Sequence, residues 1–142
     1  MTPSLMDTNA MLAFSIQNHS KNSSVIRWLD SRPAGSAILC RVTQMSFLRL
    51  ITNPRVVPGL NITPFQAWKV YREVEADERF LYVEEPRGLD RHFRELTANR
   101  PQISGSAWTD LYLYAFAVAA GFTLATFDKA LAEAGPHAEL IP

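Results

Sequence analysis

Residues that mark several large classes of protein are scarce in this chain. Only one cysteine, Cys40, occurs in 142 residues, so an internal disulfide is excluded. Its apolar neighbours Ala37-Ile38-Leu39 point to a buried thiol. The three histidines, His19, His92 and His137, stand apart with no ligand spacing around them, which leaves no basis for a zinc site. Positive charge is not in excess. Fourteen Lys and Arg balance fourteen Asp and Glu, so the global basic footprint of many nucleic-acid binders is absent. The longest apolar run, around Leu111 to Ala120, is too short to span a bilayer. No cation precedes the apolar stretch at the N-terminus, so no secretory leader is expected there. The cytoplasm is the simplest compartment. Neither an internal repeat nor a low-complexity tract interrupts the chain.

What remains is an ordinary globular composition. Hydrophobic residues make up 47% of the chain and charged residues 20%, which suits one domain over 1–142 burying roughly two-thirds of its unfolded surface. Most of the cations are arginine. That choice favours bidentate phosphate contacts, and it also follows from genomic base composition.

The pattern alternates strand and helix. Pro3 to Asp7 reads as a first strand, and Asn9 to Ile16 carries helical spacing. A second helix runs from Ser23 to Asp30. Ser36 to Cys40 is a strand without polar alternation, as expected for one covered on both faces. Thr43 to Ile51 is helical, and Arg55 to Ile62 is a loop. Thr63-Pro64-Phe65-Gln66 resembles a capping box opening a helix toward Asp77. Phe80 to Val83 is a third strand and Leu89 to Ala98 a helix. Ser106 is the expected N-cap of the apolar helix Ala107 to Ala120, which Gly121 ends. Phe122 to Phe127 is a fourth strand, and Glu139-Leu140-Ile141 adds a fifth. The expectation is an α/β three-layer sandwich, with a mainly parallel sheet of four or five strands flanked by helices.

Three aspartates then stand out. Asp7 closes the first strand, Asp128 closes the Leu124-to-Phe127 strand, and Asp110 sits near the start of an otherwise apolar helix. In a parallel sheet the carboxyl ends of strands and the amino ends of the following helices share one edge, so the three converge there. Their mutual repulsion invites a divalent cation, and oxygen ligands favour magnesium or manganese over zinc. Each aspartate also has a plainer reading. Asp7 and Asp128 stand where helix caps belong. Asp110 stands where it would complement a helix dipole, although an idle charge in so apolar a helix is expensive. Asn9 can orient a carboxylate or a water. Thr126, two residues before Asp128, points the same way on a strand and is placed to hold a metal-bound water or the Asp128 rotamer. Ordinary strand propensity accounts for that threonine equally well.

Leu5-Met6-Asp7-Thr8-Asn9-Ala10-Met11-Leu12 resembles the opening of PIN-domain proteins. Trp108-Thr109-Asp110-Leu111-Tyr112-Leu113, followed by Ala117-Val118-Ala119-Ala120-Gly121, looks like their third motif. Leu124-Ala125-Thr126-Phe127-Asp128 looks like their last. Over essentially its full length the chain is similar to VapC-type toxins of bacterial toxin–antitoxin pairs. The resemblance implies an endoribonuclease using magnesium or manganese, commonly a homodimer, and inhibited by a VapB-type antitoxin. It places Asp7 and Asp110 as the main metal ligands, Asp128 in the outer part of the site, and Asn9 and Thr126 as polar support. The antitoxin is expected on an apolar groove flanking the acidic edge.

One position departs from the family. Where PIN domains usually carry a glutamate after the second strand, this chain reads Thr43-Gln44-Met45-Ser46-Phe47-Leu48-Arg49. Gln44 is the expected occupant of that place, with Ser46 the alternative, and neither is anionic. The substitution keeps a second reading open, a catalytically silent PIN-like module that binds RNA or a protein. Receiver domains and dehalogenase-like phosphatases fit poorly, since the first lack their paired acids here and the second favour Asp-x-Asp over Asp7-Thr8-Asn9. Arg49, Arg55 and Arg100 are candidates for gripping substrate, and Trp108 and Tyr112 for stacking on bases. Surface solvation for the arginines, and core or dimer packing for the two aromatics, are the plainer alternatives.

Overall fold

Five short strands pair in parallel throughout, in the order β3-β2-β1-β4-β5. They are β1 (Ser4–Met6), β2 (Ala37–Leu39), β3 (Phe80–Tyr82), β4 (Thr123–Thr126) and β5 (Ala138–Leu140). The computed structural model describes every residue from Met1 to Pro142. Parallel neighbours require crossovers, which seven helices supply: α1 (Thr8–Ser15), α2 (Asn22–Asp30), α3 (Arg41–Ile51), α4 (Pro64–Ala76), α5 (Leu89–Thr97), α6 (Gly105–Ala120) and α7 (Lys129–Ala132). No helix is long and apolar enough to cross a membrane.

Strand alternation divides the core in two. Met6, Leu39, Phe80 and Ala125 point into a cluster with α1 to α4, where Phe47 and Tyr71 are fully buried. Leu5, Ile38 and Leu124 point the other way, against Leu113, Phe116 and Leu131 of α6 and α7. The inner strands are therefore covered on both faces, which is why β1 and β2 contain no exposed residue, whereas the edge strands expose Leu81 and Leu140.

Local chemistry explains most boundaries. Thr63 and Gln66 form the expected reciprocal cap of α4, at 3.2 and 2.9 Å, with Pro64 at the first helical position. Gly121 ends α6 with φ of 72°, a conformation that suits glycine. Two starts lie two residues earlier than the sequence pattern indicates. Helix α3 begins at Arg41, because Thr43 Oγ1 accepts from the Cys40 N–H at 3.2 Å. Helix α6 begins at Gly105 with Ser104 as its cap. Ser106 is thus a residue of the first turn and not the cap.

Strand order positions the site. From β1 the chain winds outward to β2 and β3, then returns across β1 to form β4 and β5. The direction of winding reverses between β1 and β4. Helices following these two strands lie on opposite faces, which opens a crevice at their carboxyl ends.

Candidate functional site

Asp7 and Asp128 emerge at that crevice, from β1 and β4 respectively. Asp7 is buried. One of its oxygens, Oδ1, accepts from the Asn9 N–H at 2.8 Å and caps α1. The other, Oδ2, accepts from the Thr126 hydroxyl at 2.5 Å. Thr126 Oγ1 in turn accepts from the Asp128 N–H at 3.0 Å. The Thr-x-Asp spacing thus places a backbone donor behind the hydroxyl that orients Asp7. Its single proton goes to Asp7, so Thr126 donates nothing to the Asp128 side chain.

Asp110 reaches the crevice from the second turn of α6. Its carboxylate makes no hydrogen bond and no ion pair with the rest of the chain, so nothing within the protein offsets its charge. Desolvation, followed by the charges of Asp7 and Asp128, pushes its pKa up to about 6. Burial likewise raises the pKa of Asp7, partly offset by the donors from Thr126 and Asn9, while the charge of Asp128 adds to the rise.

Asp7, Asp110, Thr8, Asn9, Ser46 and Arg49 line a cavity of about 220 Å³, with Ser106 and Thr109 on its α6 wall. Ser106, Thr109 and Asp110 form one polar stripe on an otherwise apolar helix. That spacing of three and four was the signal in the sequence for the first two.

Two expected members are placed elsewhere. Asp128 is exposed, and its Oδ1 accepts from the Ala130 and Leu131 N–H groups at 2.9 and 3.2 Å, capping α7. It contributes charge to the crevice but does not line the cavity, and no three acidic, histidine or cysteine side chains form a metal-binding group. Gln44 does not face the cavity at all. Buried on the other side of α3, its Oε1 accepts from Arg41 Nη1 at 2.5 Å. Ser46 occupies the cavity wall instead. Two residues along an α-helix rotate a side chain by about 200°, so the two positions cannot share a face.

Among the candidate arginines, Arg49 lines the cavity. Arg55 lies in the exposed loop after α3, and Arg100 Nε donates to the Leu96 carbonyl at 2.8 Å. Trp108 and Tyr112 pack edge-to-face on Phe93 with centroids 6.1 and 5.8 Å away, holding α6 to α5. Tyr112 also donates to Glu85 at 2.9 Å. The largest cavity, about 830 Å³ and lined by Ile16, Ile51, Val57 and Leu60 among others, opens beside the carboxyl end of α1. It therefore lies at the opposite end of that helix from Asp7.

The donor set suits a hard divalent cation. Magnesium keeps several waters and is usually held by one or two carboxylates, and Asp7 with Asp110 supplies two whose mutual repulsion such a cation relieves. Thr8, Asn9, Ser46, Ser106 and Thr109 bring further oxygen atoms to the cavity, and no sulfur or imidazole is present there to favour zinc.

The PIN domain pattern matches residues 4–135 of the chain. In sequence the chain is 37% identical over 136 residues to Ribonuclease VapC41 of Mycobacterium tuberculosis, with 92% of each protein covered. In structure it is similar to VapC20 of Mycobacterium tuberculosis, a Sarcin-Ricin loop cleaving toxin. The TM-score is 0.70 at 15% identity, over 97% of this chain and 98% of that one. It is also similar to VapBC2 from Rickettsia felis bound to a DNA fragment from its promoter, with a TM-score of 0.67 at 13% identity and 96% of each chain covered.

Proposed function

The chain belongs to the PIN-domain family, among the VapC ribonucleases, and on that premise we propose that it hydrolyses RNA phosphodiester bonds at the Asp7–Asp110 cavity with magnesium or manganese. It is the toxin of a VapBC-type pair, restrained by a VapB-type antitoxin, and in this reading acts as a cytoplasmic homodimer. The observation that carries the proposal is the pairing of a buried aspartate with an uncompensated one at the point where the sheet reverses its winding.

Bound there, the cation would lower the pKa of a coordinated water and offset charge on the phosphate. The chain itself does the rest. Asp7 and Asp110 hold the cation, and the Thr126 hydroxyl and Asn9 N–H keep Asp7 in one rotamer. Arg49 faces the same cavity and can take a phosphate oxygen. Asp128 adds negative potential from the rim.

A silent module that binds RNA or a protein is the competing reading, favoured by Ser46 standing where an acid is usual in the family. Purified protein freed of antitoxin separates the two when incubated with total RNA in magnesium, manganese or EDTA, beside Asp7→Ala. Cleavage that needs metal and disappears in Asp7→Ala supports the nuclease. Folded wild-type protein that leaves RNA intact under every metal would sink it in favour of the silent module.

A further inference from the structure

Arg49 is the one residue shared by two neighbouring hollows. On one side it lines the acidic cavity with Asp7, Asp110 and Ser46. On the other it lines a second hollow of about 220 Å³, whose floor is Leu48, Thr52 and Ala67 and whose wall is Pro64 and Trp68. Helical phase makes this possible, since Ser46, Arg49 and Leu50 face one way while Leu48, Arg49 and Thr52 face the next groove, against α4.

Two side chains, Arg49 and Trp68, define the second hollow. Arg49 is exposed and forms no ion pair, whereas Arg32, Arg79 and Arg94 each meet a carboxylate. Trp68 is 42% exposed, yet it is braced edge-to-face by the fully buried Tyr71, with centroids 6.0 Å apart. A large aromatic held in place and left open to solvent presents a fixed ring for stacking.

We propose that Arg49 and Trp68 form a subsite for one nucleotide of single-stranded RNA beside the scissile bond, with the base stacked on Trp68 and a flanking phosphate held by the Arg49 guanidinium. The proposal rests on the ribonuclease reading and adds to it the residues that position substrate. Unpaired bases are recognised by stacking on aromatic faces and by arginine contacts to the backbone. The hollow has room for a single ring system, and its lining includes the cation Arg49 and the hydroxyl of Thr52. It adjoins the acidic cavity across Arg49, so a strand whose phosphate is cut at Asp7 and Asp110 has its next nucleotide over α3 and α4.

The test uses a fluorescein-labelled, 2′-O-methylated twelve-nucleotide RNA of random sequence, read by anisotropy with full-length protein, together with steady-state cleavage of unmodified RNA. Trp68→Ala should weaken binding and raise KM by roughly tenfold, with a far smaller change in kcat, because stacking on one aromatic is worth about that much per base. Trp68→Phe should recover most of the loss. Arg49→Ala should flatten the dependence of log affinity on log salt by roughly 0.7, as expected for one lost phosphate contact on a single strand, and Arg49→Lys should restore that slope. Melting curves confirm that each variant is folded. Cleavage by wild type with unchanged binding and KM in folded Trp68→Ala overturns the subsite and leaves the nuclease reading standing. Loss of a co-purifying antitoxin from Trp68→Ala with RNA binding intact assigns the surface to a protein and overturns it too. A wild type that cleaves no RNA removes the reading on which the subsite rests.

Discussion

At the amino edge of the sheet, Ser4, Thr123, Arg32 and Glu139 meet; at the carboxyl edge, Asp7, Asp110 and Thr126 do. Both sets join polar groups from β1 and β4, and their charge balance differs. Arg32 reaches Ser4 Oγ at 2.6 Å and Glu139 at 3.3 Å, and donates to the Thr2 carbonyl at 3.1 Å. Ser4 donates its one proton to Glu139 at 3.0 Å, so Thr123 donates to Ser4, also at 3.0 Å. Only Arg32 Nε lacks a partner. This edge neutralises itself. The carboxyl edge gathers negative charge with no ion pair, which costs stability unless a ligand supplies the opposite charge. Paired charge at one end of the sheet holds the fold, and uncompensated charge at the other is available for chemistry.

The largest expected effect tests the second half of that contrast. Asp7→Asn removes charge while keeping shape, and cleavage should fall by roughly a thousandfold, the equivalent of a few kcal/mol of transition-state stabilisation. Single-turnover rates in manganese measure this, and a loss under tenfold would falsify the role assigned to Asp7. Next comes the paired edge. Arg32→Ala should lower the unfolding free energy by roughly 2–3 kcal/mol, because half-buried Glu139 and fully buried Ser4 are left without their cation. Cleavage by the protein that remains folded should be intact, and urea titration beside the RNA assay separates the two effects.

A smaller effect probes how the edges differ in their supporting hydrogen bonds. Thr126→Val deletes the donor to Asp7 Oδ2 and leaves the Asp128 N–H without an acceptor. Groups that orient a metal-binding carboxylate typically contribute ten- to a hundredfold in affinity or activity. Manganese affinity, followed by calorimetry, should drop by at least about tenfold.

The smallest effect has the opposite sign. Asp110 has a pKa near 6 in the folded chain against an ordinary value of 3.8. Between those values the folded state holds more protons than the unfolded one, so metal-free stability falls as pH rises through this range and stays lower above it. Asp110→Asn should therefore stabilise metal-free protein at pH 7.5. After discounting for solvent screening the gain is on the order of 1 kcal/mol, or a few degrees in Tm. Magnesium should raise the Tm of wild type and leave that of the variant unchanged. A variant that melts lower in EDTA would mean that Asp110 has a partner at this edge.

Much of this was legible in the order of residues. Hydrophobic runs broken by Gly, Pro and capping residues mark strands and helices locally, because each depends on neighbours within a few positions. Asp7 and Asp128 could be put on one edge since strand ends and helix starts always share it in a parallel sheet. Asp110 announced itself as a charge in an apolar helix. Other features depended on contacts between distant segments. Whether Gln44 or Ser46 faces the cavity turns on helical phase, and phase is set by packing Phe47 and Ile51 into the core. The Thr126 bond to Asp7 required β1 and β4 to be neighbours, and nothing in a linear pattern states strand order. The sequence alone determined which side chains carry charge and which local element each begins or ends. Tertiary structure decided that the charges at the amino edge are paired, because Arg32 and Glu139, more than a hundred residues apart, meet at 3.3 Å only once β1, β4 and β5 lie side by side.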